Sequence, residues 1–409
     1  MSLERIIPPE EKERLARQHL AARASRPERT TKERVRLRVL RILGAILSLR
    51  PRSPSLHAEC RILVIRPDHI GDVLFITPAL ARLRERYPSA HITAMVGPWA
   101  RPILAFNPDI DALWTCPFPG FTRQSKKSPW QPYCLLRRYA ALLRASNFDA
   151  AIILRDDHWW GALLAAWASI PFRIGYDVPE VRPFLTKIRA ESSQAHEVVR
   201  NLHLIDPDLH PITPDTWPLR FTPTATDSIW ADDLLRSIDA TSSPLVVIHP
   251  GSGAPVKAWR VSAWARVADA LIDRHQVRIL ITGGKHEQDL AQAVADAMKG
   301  PSVVLAGQTT LGQLAALMGR CALALGPDSG PLHLAVAMGT PTVHLFGPAD
   351  PRRFGPWGDP QCHRVITSDW ACAPCGRLDH SEDELPLHGC VRDIPEEAVL
   401  ETASELLAS

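Results

Sequence analysis

The chain has 409 residues, 45% hydrophobic and 22% charged, enough for two domains with separate cores and too apolar for a mainly disordered protein. Its net charge of +3 is uneven: residues 1–55 carry +8 and the remainder −5. A neutral to acidic body excludes a dedicated nucleic-acid binder, which needs a basic stripe on the folded domain itself.

Met1 to Glu13 is charged and lacks the apolar core and small-residue cleavage site of a secretory signal. No uncharged apolar run reaches the roughly 20 residues that span a bilayer. Both observations predict a cytoplasmic protein. Of eight cysteines, Cys362, Cys372, Cys375 and Cys390 crowd towards the C-terminal end. In a reducing compartment such a cluster points to a metal before it points to disulfides.

Residues 1–55 read as a basic helical N-terminal extension. Between Arg34 and Leu49 a helix would place Arg34, Arg38 and Arg41 on one face and Val35, Val39, Ile42, Ile46 and Leu49 on another. Such a face suits either an anionic membrane surface or the protein's own body.

From Arg61 short β-branched runs alternate with helical stretches. Strands are predicted at Arg61 to Arg66, His91 to Val96, Ala112 to Thr115, Asp149 to Leu154 and Arg173 to Tyr176. Residues 56–225 therefore form a parallel α/β lobe, closed by a polar, proline-containing linker from Asp206 to Thr226. Residues 226–395 repeat the pattern, with strands at Leu245 to His249, Val277 to Thr282, Ser302 to Leu305, Cys321 to Leu325 and Thr342 to Phe346. A C-terminal helix occupies 396–409. The expected class is α/β, two Rossmann-like parallel lobes facing each other across a cleft, with ligands at the carboxyl ends of the strands.

Four segments carry chemistry. In Gly326-Pro-Asp-Ser-Gly-Pro-Leu-His333 a buried strand ends where Pro331 suits the first turn of a helix. Asp328, Ser329, Gly330, Leu332 and His333 lie there, and the small residues let a phosphate approach the free N–H groups of the helix start. Taken alone this is equally an ordinary capped βα turn, and His333 either touches a phosphate or fills the lobe interface. In His249-Pro-Gly-Ser-Gly-Ala-Pro-Val-Lys257, Gly251 and Ser252 leave backbone donors open, Lys257 supplies a point charge for a diphosphate, and Ser262 is expected to cap the next helix. At Gly283-Gly-Lys-His-Glu287 the carboxylate suits two adjacent ribose hydroxyls, although the helix dipole alone would favour an acid there. In the first lobe Asp72 follows the first strand, where it could take a proton from an attacking hydroxyl. Asp68 and His69 are rival bases, Arg66 and His69 are candidate acceptor contacts, and Pro78 implies a kinked helix or one that starts at Thr77.

No Asp-x-Asp pair for a nucleotide-bound divalent metal stands out: Asp109-Ile-Asp111 and Asp206-Pro-Asp208 lie beside prolines and read as turns. Cys372-Ala-Pro-Cys375 with Cys362 and Cys390 could form a four-thiolate site for structural zinc or iron, and His380 or His388 could replace Cys362. Four free thiols are the plainer alternative.

Together these residues resemble glycosyltransferase family 9, the heptosyltransferase-like family of GT-B fold. The resemblance rests on Arg66 through Gly71-Asp72, Thr77-Pro-Ala-Leu80, His249-Pro-Gly-Ser252, Lys257-Ala-Trp259, Gly283-Gly284 with Glu287, and Gly326 to His333, and runs from about Arg61 to Ile394. It implies an inverting transfer that requires no cofactor, usually from ADP-heptose to a lipopolysaccharide core or related cell-envelope acceptor. On that resemblance Asp72 matches the proposed base, Lys257 the donor-phosphate lysine, Glu287 the ribose carboxylate, and Asp328 to His333 the donor loop. The basic extension and the cysteine tail depart from typical members. A similar cysteine cluster occurs in members that heptosylate autotransporter proteins and bind iron, so the alternatives are a protein acceptor or, on the same fold, a nucleotide-sugar 2-epimerase or a non-catalytic nucleotide-binding module.

Overall fold

Ile62-Leu-Val-Ile65 has no polar alternation, the pattern of a strand covered on both faces. In the computed structural model, which describes residues 4–25, 30–48, 58–122, 128, 130–190, 194–239 and 243–408, this run is the centre of a parallel sheet. The chain divides into two units, Pro27–Ile212 and Thr213–Ser409 with Met1–Arg26.

The sheet of Pro27–Ile212 holds β1 (Arg61–Arg66), β2 (His91–Val96), β3 (Ala112–Thr115), β4 (Ala150–Ile153), β5 (Phe172–Tyr176) and β6 (Lys187–Arg189), in the order β3-β2-β1-β4-β5-β6. Every pairing is parallel. The other unit holds β7 (Leu245–Ile248), β8 (Arg278–Ile281), β9 (Ser302–Val304), β10 (Leu323–Pro327), β11 (Thr342–Phe346) and β12 (His363–Thr367), in the order β12-β11-β10-β7-β8-β9. Numbered from its own first strand, the second sheet repeats the doubly wound order of the first. Strand order therefore reverses between β1 and β4 and again between β7 and β10, and ligands of such sheets bind at these switch points.

Each sheet is buried by its own helices. Helix Val261–His275 turns Ala263, Trp264, Val267, Ala268 and Leu271 onto the second sheet, the spacing of one helical face. Burying Val267 and Leu271 contributes about 1.5–3 kcal/mol each. Helix Ala225–Ser237 opens with a reciprocal capping box between Thr224 and Asp227, a device of about 1 kcal/mol.

Two edge strands, β6 and β12, escape the sequence reading. The expected linker is also tighter than its composition suggests: Asp206 is held by Arg82 and Arg86 at 2.6 and 2.9 Å, and Trp217 is buried, its carbonyl accepting from Trp357 Nε1 at 2.8 Å. Asp111 likewise serves a turn, accepting from Arg84 and from the Ile92 amide. Of the two readings for Pro78 the second holds, since a short helix Ile70–Leu74 ends before helix Thr77–Arg86 begins.

The N-terminal extension is not one appendage. Helix Pro9–Ala24 belongs with Thr213–Ser409, where Ile7, Leu15 and Ala16 pack with Trp370, Cys372 and Cys390. There Glu4 accepts from the Val261 and Ser262 amides at 2.8 and 3.2 Å. Ser262, expected to cap this helix, lies in its first turn, and Glu4 from far away in sequence does the capping. Helix Thr31–Ser48 belongs to the other unit, where Gly44 lies so close to Pro183 that a Cβ would overlap it. Leu49 and the rest of the extension to residue 55 lie outside the described residues. The C-terminal helix Glu396–Ala408 packs on helix Val261–His275, with Glu396 held by Arg260 and Arg266.

Candidate functional site

At the switch point of the first sheet, Arg66 ends β1 with only 2% of its surface exposed. A buried guanidinium needs counter-charges, and it has three: Asp68 at 2.6 Å, Glu197 at 3.1 Å and Asp72 at 3.3 Å. It also donates to the Leu154 carbonyl at the end of β4. Arg155, following β4, forms a second ion pair with Asp68, whose carbonyl accepts from Trp99 Nε1. Glu197 in turn pairs with Arg200 at 2.9 Å, and Arg200 with Asp156 at 2.7 Å. Arg66, expected at the acceptor, is thus engaged by the carboxylates around it, Asp72 among them.

Asp72 is the carboxylate of this network most open to solvent, with its side chain 32% exposed, and Arg155 beside Asp68 is 31% exposed. Withdrawal from water and then the neighbouring Asp68 carboxylate raise its pKa to about 7, Glu197 adding to the rise and Arg66 and Arg155 opposing it. A carboxylate so tuned is a base poised near neutrality. Of its rivals, Asp68 is buried between two arginines, whereas His69 is exposed and lies 5.5 Å from the Trp99 ring. Glu197, Arg155 and Arg200 had no signal in the sequence, because each comes from a segment far from β1 in the chain.

In the second unit β10, β7 and β8 are adjacent, so the three expected donor segments leave neighbouring strands at the same edge. Lys257 closes a 3₁₀ turn, Pro255–Lys257, and its Nζ lies 2.6 Å from Asp328 Oδ2, joining the loops on either side of the switch point. His333 Nε2 approaches the other Asp328 oxygen at 3.5 Å. Burial opposes ionisation of Asp328, but the His333 hydrogen bond and the Lys257 charge outweigh it and hold the carboxyl at about 2. His333 is therefore buried beside Asp328, 5.4 Å from the His344 ring.

Ser329 precedes helix Gly330–Ala337, and its buried hydroxyl oxygen has no hydrogen-bond partner. An orphaned hydroxyl at a helix start is a ready donor to an anion. Leu332, also expected at the donor, has its side chain fully buried under Gly326, where a Cβ would meet it. Only its backbone N–H is left to face a ligand. Ser252 donates its hydroxyl to the Ala254 carbonyl, so its contribution too is through the backbone.

Glu287 ends a 3₁₀ turn, Lys285–Glu287, directly before helix Gln288–Ala297, and one carboxylate oxygen accepts from the Gly284 amide at 2.6 Å. His249 approaches it at 3.8 Å. A Cβ at Gly251 would overlap the Glu287 carboxylate, and one at Gly283 would press on its Cβ. These glycines make room for an acid at the sheet edge.

The cysteine cluster comes together only in part. Burial, then the charges of the Cys375 and Cys372 thiols, push Cys390 up to about 12. Histidines lie close by: His19 Nδ1 is 3.7 Å from Cys372 Sγ, the His19 ring stacks on His388 at 4.2 Å, and the His380 ring meets His388 at a tilt, 3.7 Å between centroids. Cys362 is exposed at the start of β12, and none of these contacts involves it. The donor types suit zinc or iron, yet among the described residues no three His, Cys, Asp or Glu are arranged to hold a metal ion.

Two lobes of identical winding, one with a tuned carboxylate at its switch point and the other with a paired lysine and an open helix start, define a GT-B glycosyltransferase. The family model for glycosyltransferase family 9 (heptosyltransferase) matches residues 136–385. Lipopolysaccharide heptosyltransferase 3 of Escherichia coli K12 is 30% identical over 301 residues, covering 70% of this chain and 82% of that protein. Among solved structures, a family 9 glycosyl transferase of Veillonella parvula DSM 2008 aligns with a TM-score of 0.69 at 25% identity, covering 87% of this chain and 99% of the other. E. coli ADP-heptose lps heptosyltransferase II aligns at 0.68 and 24%, covering 85% and 98%. The chain belongs to glycosyltransferase family 9 and is a glycosyltransferase.

Proposed function

We propose that the protein transfers heptose from ADP-heptose to a lipopolysaccharide core saccharide, inverting the anomeric centre without a catalytic metal. The observation that carries this is the set at the edge of the second sheet: Lys257 beside Asp328, the orphaned Ser329 hydroxyl and the start of helix Gly330–Ala337. Lys257 and the backbone N–H groups of Gly330 and Leu332 meet the charge of the departing diphosphate, the task a divalent cation performs elsewhere. Glu287 accepts from the ribose hydroxyls. Asp72 removes the proton of the acceptor hydroxyl as its oxygen bonds to the anomeric carbon, and the carbon–oxygen bond to the diphosphate breaks through an oxocarbenium-like state. Arg66 holds Asp72 in place, and His69, exposed beside it, contacts the acceptor. The lipid-linked acceptor places the reaction at the cytoplasmic face of the inner membrane.

The test is purified protein with ADP-heptose and delipidated core oligosaccharide, in the presence of chelator, with the product anomer read by NMR. Transfer with inversion is expected at an undiminished rate. Loss of activity on chelation, or retention of configuration, overturns the mechanism, and isomerised donor without acceptor identifies an epimerase.

The cysteine–histidine cluster favours a second acceptor class, a protein, and with it a structural zinc or iron on Cys372, Cys375 and Cys390 with a histidine in place of Cys362. The donors would have to draw together to close on an ion. Intact-mass measurement of co-expressed acceptor candidates and metal analysis of protein purified without chelator decide these points.

A further inference from the structure

Helix Thr31–Ser48 carries two apolar stripes rather than one. Leu37 and Leu40 are buried, Leu43 and Leu47 are half-buried, and Gly44 sits flush against Pro183, so this stripe fastens the helix to its own unit. On a different face Val35, Val39, Ile42 and Ile46 are 54%, 49%, 62% and 58% exposed. Four large β-branched side chains on one stripe of three turns gain nothing for the fold and weaken the helix slightly. A contiguous apolar patch rimmed by charge marks an interaction surface.

The rim is basic. At helical spacing Arg34, Arg38 and Arg41 border the stripe on one side and Lys32 and Arg36 on the other. The single acid of the helix, Glu33, is turned back to cap Thr30. Beside the helix a cavity of about 510 Å³ opens towards the edge strand β6, lined by Arg41, Ala45, Asp177, Pro179, Arg182 and Ile188. Arg182 is paired with Asp177 at 3.2 Å. The volume of the cavity exceeds that of a phosphate group.

We infer that this helix docks the protein on an anionic phospholipid surface, laying Val35, Val39, Ile42 and Ile46 into the acyl boundary while the flanking arginines meet the headgroup phosphates. The charge decides the occupant: a second copy seated on the same stripe would bring basic rims together, whereas anionic lipid neutralises them. No helix among the described residues is long and apolar enough to cross a membrane, so the attachment lies in the interface plane. The inference deepens the membrane-face location proposed above and is independent of the donor and acceptor.

The experiment is flotation of the full chain with vesicles of phosphatidylethanolamine and phosphatidylglycerol, against vesicles of phosphatidylcholine alone. Binding to the anionic vesicles, weakened by salt, is expected. The double change Val39→Asp with Ile42→Asp should lower the partition coefficient about tenfold or more. Arg34→Gln or Arg38→Gln should each lower it about fivefold. All these positions are exposed, so the variants should keep the wild-type melting temperature and turnover of a water-soluble acceptor. Equal binding of wild type and double variant, or no wild-type binding, overturns the inference. So does a lipid-free dimer in sedimentation that Ile42→Asp dissociates, which would assign the stripe to a second copy. Flotation needs neither donor nor acceptor, so its failure and that of the transferase reading are separate results.

Discussion

The two switch points occupy the same place in two sheets of the same winding, yet their electrostatics are opposite. At the first, Asp72 shares two arginines with Asp68 and Glu197, and burial tips the balance so that its proton affinity rises to about 7. At the second, the carboxylate of Asp328 has a lysine and a histidine to itself, and its pKa falls to about 2 despite burial. The fold supplies a position, and the ratio of acids to bases around it sets the task. An acid-rich position makes a proton acceptor near neutral pH, and a base-rich one makes a receptor for anions.

Breaking each side of this contrast should cost activity in different ways. The largest effect is expected for Asp72→Asn, which should lower kcat about 10³-fold while calorimetric donor affinity stays unchanged. A loss of only a few fold would move the base to His69 or Asp68. Lys257→Ala should lower kcat/KM for the donor about 10²-fold. It should also destabilise the protein, because Asp328 is left buried with one cation fewer. The stability Asp328 supplies is present above the ordinary carboxylate range and lost as pH falls through about 2. Without Lys257 that loss should begin at higher pH in acid titrations followed by circular dichroism.

The contrast can also be sharpened without removing a reacting group. Because the base must be unprotonated, kcat/KM should fall as pH drops through about 7. Glu197→Gln removes a like charge facing Asp72 and should move that limb to lower pH. An unmoved limb would show that the titrating group is not Asp72. The smallest effect is expected at Gly251→Ala, whose new methyl group displaces the Glu287 carboxylate. It should raise the donor KM several-fold and change kcat little, as for an interaction made equally in ground and transition states.

The strand pattern was legible wherever strands are central: β1, β7 and β10 are unbroken apolar runs, and their loops carry the glycines and the lysine that drew attention to them. The edges were not. In β6 the residues read Lys-Ile-Arg, and β12 has the burial of a strand covered on one side, so neither has a two-sided apolar signature. The gathering of the candidate donor segments at one sheet edge was legible because each lies next to its own strand in sequence. The ion pairing of Arg66 was not legible because its partner Glu197 is 131 positions away, and pairing at that range leaves no local trace. Helix Thr31–Ser48 exposed a different weakness. Periodicity identified an apolar face, but with two apolar stripes on one helix it could not say which is spent on the fold.

The ion pair between Lys257 and Asp328 has a consequence for selectivity. With the lysine already paired to a carboxylate, a small anion such as inorganic phosphate would gain hardly more there than it gives up by leaving water. A nucleoside diphosphate spreads its charge over two phosphoryl groups and can engage the lysine and the helix start together, which repays the disruption of the pair. On the proposed donor reading, the ion pair would thus disfavour small anions and favour a ligand with the right span.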